Sequence, residues 1–157
     1  MTTVSDIKPG QCSVETVGRQ IAAVIAANVA MDEIPATQRV LRARLAAALP
    51  SLDVGTTGLP LTVWRMPAGG RLDLHPGVLV SRDFTATGEV VPAELPAGRA
   101  AHMRLVAPFD LLPGAWQKLL TWCAQEKLKL AGLNWEIYGE TSPDPARQET
   151  ALYALLA

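Results

Sequence analysis

Cysteine, histidine, tyrosine and phenylalanine are all scarce in this 157-residue chain, with two of each. Two cysteines cannot frame a small disulfide-held domain, and a chain of this length buries a core without such staples. Cys12, in a mixed polar N-terminal segment, and Cys123, on a helix face, therefore read as reduced thiols, and neither stands at a metal-ligand spacing. His75 and His102 are isolated, which excludes a sequence-local catalytic dyad and makes each a sheet histidine with its hydrogen bonds satisfied. An excess of charge of one sign is missing too. Fourteen basic and fifteen acidic residues leave a formal charge of -1, without the basic patch that nucleic acid or an anionic membrane requires. No helix-turn-helix pattern is present. The apolar run Ile21 to Ala27 is too short to span a bilayer, and Asp6 and Glu15 spoil a basic leader, so a cytoplasmic location is expected. Phosphate loop, nucleophile elbow and paired-carboxylate motif are lacking, and no metal or cofactor is expected.

What the chain does hold is concentrated. Three of its four tryptophans fall between Gly98 and Glu140, in a segment that reads strand, helix, strand. Residues 1–12 are expected to be a flexible tail. Ser13 to Asn28 reads as one strand, with helix as a competitor because of its alanines. Asp32 is the expected N-cap of a helix with Pro35 in its first turn, and Ile34, Leu41, Leu45 and Leu49 form its apolar stripe. Arg39, Arg42 and Arg44 lie off that stripe and read as a solvated face. A short strand from Leu61 to Met66, a turn at Pro67 to Gly70 and a second strand from Arg71 to Ser81 follow. Pro76 and Gly77 mark that second strand as an edge or a bulge. Such an edge offers a pairing surface for a dimer, against which Pro76 speaks, so the oligomeric state stays open.

The second half repeats the first. Met31, Asp32, Ile34, Pro35, Leu41 and Leu45 align with Phe109, Asp110, Leu112, Pro113, Leu119 and Cys123, and Leu61 to Trp64 align with Trp135 to Tyr138. One domain over residues 13–157 is expected, with repeats of about 13–82 and 90–157. The fold class is α+β, built from duplicated β-α-β-β units whose two helices pack on a mainly antiparallel sheet, with a ligand groove where the halves meet.

Strand periodicity sends Glu136 and Tyr138 to one face and Trp135 and Ile137 to the other. Thr62 and Trp64 take the places of Glu136 and Tyr138 in the first repeat, so the duplicated site has one carboxylate, flanked by Trp64 and Tyr138. On the second helix Leu112, Ala115, Trp116, Leu119 and Cys123 share a stripe bordered by Trp122. Trp122 reads as core or pocket wall. Trp116 is the better pocket candidate, because its counterpart is the polar Gln38. Glu136 is either a solvent-facing strand residue or a buried carboxylate among rings. A carboxylate of the second kind attracts a lipophilic cation, each ring adding about 0.5–2 kcal/mol, and burial would also fit it for acid–base work.

The stretch LPAGRAAHMRLVAPFDLLPGAWQKLLTWCAQ, the segment WEIYGETSPDP and the closing strand ETALYALLA resemble the GyrI-like small-molecule binding domain. That domain is related to the effector-binding domains of AraC-type and multidrug-sensing regulators and to the SOUL superfamily. The resemblance covers Glu94 to Ala157. It implies a duplicated domain with a ligand groove, and Glu136 matches the family's acidic residue after the second helix. Phe109 stands where the family has Tyr, and Ala107 replaces Gly, so a hydroxyl is lost while an apolar wall remains. The ligand-binding residues expected are Glu136, Tyr138, Trp116, Trp64, Phe109 and Trp135. Three functions are compatible with this: a free-standing module that binds, senses or sequesters a hydrophobic or cationic small molecule; a hydrolase of strained, cyclopropane-type toxins using Glu136 as catalytic residue; and a protein-interaction domain, such as a topoisomerase modulator, with a protein partner.

Overall fold

A computed structural model describes residues 8–66 and 69–157. Most of the expected N-terminal tail, and Pro67 and Ala68 of the expected turn, lie outside the described residues. The strands are β1 (Cys12–Val17), β2 (Gln20–Ile25), β3 (Ala27–Val29), β4 (Thr57–Arg65), β5 (Leu72–Val80), β6 (Val90–Leu95), β7 (Gly98–Val106), β8 (Leu130–Tyr138) and β9 (Glu149–Leu156), with helices α1 (Ile34–Ala48) and α2 (Leu112–Gln125). The class is α+β, and the strand pairings within each unit are antiparallel.

The chain divides into two compact units. One is Arg19–Pro96; the other is Ala97–Ala157 together with β1. In the N-terminal unit the strands run β6-β2-β5-β4, with β3 also on β5; in the C-terminal unit they run β1-β7-β9-β8. Each unit thus pairs a strand before its helix, β2 or β7, with the second strand after it, β5 or β9, and that strand with the first one after the helix, β4 or β8. This is the duplication seen in the sequence, expressed as topology.

The repeat boundaries differ from the expected ones. The stretch from Ser13 to Asn28 is three strands, and β1 pairs with β7, Val14 facing Ala101, instead of turning back on β2. A two-residue hairpin needs a primed turn with positive φ. Gly18 has none, so the chain runs on and β1 joins the C-terminal unit. In the same way β6, though it immediately precedes β7, pairs with β2.

β5 is no edge. It lies between β2 and β4, with Pro76 almost completely buried. The proline is tolerated because the break between β2 and β3 falls opposite it, where it has no N–H to give. Beside it, a Cβ on Gly77 would come within 2.5 Å of the Ala23 carbonyl oxygen, so only glycine permits the approach of β2.

Leu41 and Leu45 of α1 are buried against Ala23, Ile25, Val54, Val80 and Val90. Asp32 is not the cap. It sits inside a 3-10 turn, Met31–Glu33, and the Glu33 carboxylate accepts the Ala30 N–H at 2.7 Å instead. Asp110 likewise lies within the 3-10 turn Phe109–Leu111 and makes no cap hydrogen bond. α2 buries Ala115, Trp116, Leu119 and Cys123. It ends where Lys127 turns left-handed (φ 54°), with Leu128 N–H donating to Cys123 O at 2.9 Å and Lys127 N–H to Ala124 O at 3.2 Å. Among the described residues no helix is long and apolar enough to cross a membrane.

Candidate ligand site

The register of the C-terminal unit places Cys12, Met103, Leu152 and Glu136 side by side in one row across β1, β7, β9 and β8. Glu136 closes that row. It is 8 % exposed, an unusual degree of burial for a carboxylate. Trp116, on the inward face of α2, donates its indole N–H to Glu136 Oε2 at 2.7 Å, and the Tyr138 hydroxyl donates to Oε1 at 2.7 Å. Hydrogen bonds to an ionised acceptor are the strong ones, and both donors here are neutral. Tyr138 reaches the same carboxylate because residues two apart in a strand share a face. The edge-on ring of Phe109 packs against Tyr138 at 5.5 Å and 82°, while Phe109 itself stays 52 % exposed.

Thr150 faces Tyr138 across the β8–β9 pairing and is buried, its hydroxyl without a hydrogen-bond partner among the described residues. Asn134, one pleat before Glu136, is buried as well. Neither was singled out in the sequence. For Thr150 the signal available was a polar residue in an otherwise apolar alternation with Leu152 and Ala154.

Trp135 belongs elsewhere. It is 1 % exposed and lies on the opposite face of β8, stacked on Tyr153 at 5.5 Å, which in turn stacks on His102 at 4.5 Å. The pleat that joins Glu136 to Tyr138 separates Trp135 from both. His102 Nδ1 lies 2.9 Å from Leu152 O, a contact that makes Nδ1 the donor; Nε2, buried, has no partner among the described residues. Burial holds the His102 imidazole below its ordinary pKa, and does the same for His75 on β5. Trp64 sits on β4 of the N-terminal unit, half-buried against Val29, Leu72 and Leu74. Trp122 is half-buried at a shallow depression on α2 with Gly114, Lys118 and Thr121, outside the Glu136 cluster.

The N-terminal unit has its own polar cluster, which overturns one reading. Arg42 is not on a solvated face. Its guanidinium donates to Gln38 Oε1, Thr62 Oγ1 and the carbonyls of Leu61 and Gly77 at 2.9–3.1 Å, and Gln38 also donates to Thr62 at 2.9 Å. In the sequence Gln38 stands out only as the counterpart of Trp116. Its i+4 spacing to Arg42 was the missed signal. Among the described residues no cluster of His, Cys, Asp and Glu suits a metal ion.

No family model and no curated protein matches the chain. Solved structures do. EcmrR in its DNA complex superimposes with a TM-score of 0.80 at 15 % identity over 93 % of this chain and 57 % of EcmrR, so the chain spans little more than half of that protein. The EcmrR C-terminal domain by itself gives 0.75 at 17 % identity over 94 % and 97 % of the two chains. SAV2435 bound to tetraphenylphosphonium gives 0.72 at 10 % identity over 94 % of each. A hydrolase from Listeria innocua gives 0.59 at 13 % identity over 95 % and 93 %. The fold is therefore the GyrI-like one.

Proposed function

We propose that this chain, with its GyrI-like fold, binds a lipophilic organic cation. Glu136 would supply the selecting charge, and Trp116, Tyr138 and Phe109 the aromatic surface. The observation that carries the reading is the Glu136 carboxylate, 8 % exposed and hydrogen-bonded through both oxygens to neutral aromatic donors. Those donors fix the carboxylate in place. A guest with a delocalised positive charge and ring or alkyl faces gains from that field and from the ring faces together. The binding of tetraphenylphosphonium by SAV2435, which shares the fold, supports this class of ligand. The chain would then sense or sequester the compound, passing any signal through a protein partner. Hydrolysis has less behind it, because carboxylate oxygens held by two donors suit a standing charge better than a base that must take up a proton.

The test is intrinsic Trp fluorescence during titration with tetraphenylphosphonium and with the neutral triphenylphosphine oxide, on the native chain and on Glu136→Gln. Saturable quenching by the cation, at least about tenfold weaker for the neutral compound and for the variant, is expected, each factor of ten corresponding to about 1.4 kcal/mol. Equal response to both compounds would remove charge selection. No response to either would end the binding reading.

A further inference from the structure

At the end of the inward row away from Glu136 stands a group of sulfur atoms. Cys12 and Met103 face each other across β1 and β7, with Cys12 Sγ 4.0 Å from Met103 Sδ. Cys123 is on the buried face of α2, the face that looks onto this row and carries Trp116 above Glu136 seven residues earlier. The chain leading into β1 runs close by the same helix, since a Cβ on Gly10 would lie 3.4 Å from Lys118 Nζ. The two thiols also lie within electrostatic reach of each other. Their exposure differs: Cys12 is half-exposed and Cys123 buried.

From this geometry we infer that Cys12 and Cys123 form a reversible redox pair, open in the structure described here and closed to a disulfide by a two-electron oxidant such as hydrogen peroxide. Cys12 is the sulfur that peroxide reaches. Its thiol first gives a proton to solvent; the thiolate attacks one peroxide oxygen, the O–O bond breaks, and the released hydroxide takes up a proton from solvent, leaving water and a sulfenic acid on Cys12. The Cys123 sulfur, losing its proton, then displaces the sulfenic hydroxyl, forming the S–S bond and a second water. Two electrons pass from the two sulfurs to the peroxide. Burial raises both thiols above their ordinary pKa, with the Lys118 charge opposing this at Cys12. The reaction is accordingly slow at neutral pH and speeds up towards alkaline pH. The bond fastens the outer strand β1 to α2, and closing so long a loop raises the melting temperature by about 5 °C or more. None of this depends on what Glu136 binds.

The experiment is peroxide treatment of the folded chain at pH 8, followed by intact mass and peptide mapping without reductant. The expected result is a loss of two hydrogens, a peptide joining Cys12 to Cys123, a higher melting temperature, and reversal of all three by dithiothreitol. Cys12→Ser, at a half-exposed position that leaves the core intact, should keep Cys123 reduced under the same treatment. Over-oxidation of Cys12 with Cys123 still a free thiol, disulfides between chains, or an unchanged mass would each overturn the pairing.

Discussion

The two units share one set of positions and put opposite chemistry in them. Thr62 pairs with Pro76 in the N-terminal unit as Glu136 pairs with Leu152 in the C-terminal one, and in each a residue on the helix reaches down to that strand position. In the C-terminal unit the helix residue is Trp116, and it meets a carboxylate. In the N-terminal unit it is Gln38, meeting a hydroxyl, and Arg42 one turn later closes the space by bonding to Gln38, Thr62 and two backbone carbonyls. One cluster is a neutral acceptor knitted into the backbone by a cation. The other is an anion held by aromatic donors. A duplicated frame thus fixes where a polar group can sit, while the residue type decides which chemistry that position carries.

The sharpest way to break this contrast is Arg42→Met. If Arg42 serves the fold, its loss leaves the Leu61 and Gly77 carbonyls and the Thr62 hydroxyl short of donors and lowers the unfolding free energy by about 3 kcal/mol, measured by urea denaturation. A stability change within about 0.5 kcal/mol would show that the arginine network is dispensable.

A second contrast lies on the other face, where His102 occupies the ladder position that Val24 holds in the N-terminal unit. Burial depresses the folded-state pKa of His102 and of His75. The folded chain therefore takes up protons at these rings only at lower pH than the unfolded chain, which does so around the ordinary value of 6.5. This stabilisation is complete above that value and is lost as pH falls below it. Thermal melts at pH 7.5 and 5.0 should show a drop that is smaller in His102→Val, with His75 supplying what remains. An identical drop in the variant would mean that His102 does not titrate with unfolding.

The smallest expected effect is Tyr138→Phe. It removes one of the two aromatic donors to Glu136 and should weaken binding of the cation about fivefold, or about 1 kcal/mol, in the same fluorescence titration. Unchanged affinity would leave Trp116 as the donor that matters.

Much of this was legible from residue order. The apolar stripes of α1 and α2, the repeat, the α+β class and the shared face of Glu136 and Tyr138 follow from periods of 3.6 and 2, which are local properties of a chain. The same period of 2 put Trp135 on the wrong side for a contact with Glu136, although its aromatic character made it look like part of the site. Asp32 misled because a good capping residue caps only if the helix starts beside it, and here a 3-10 turn comes first, as it does at its counterpart Asp110.

The sequence by itself determined which residues can alternate, which can line a helix face, and that only one of the two equivalent strand positions carries a carboxylate. The tertiary structure alone decided that β1 joins β7, that Pro76 lies in an interior strand, that Arg42 turns inward and that Trp116 meets Glu136. Each of these depends on partners far away along the chain. Their hydrogen bonds and burial are settled by what packs alongside, and no local period encodes that.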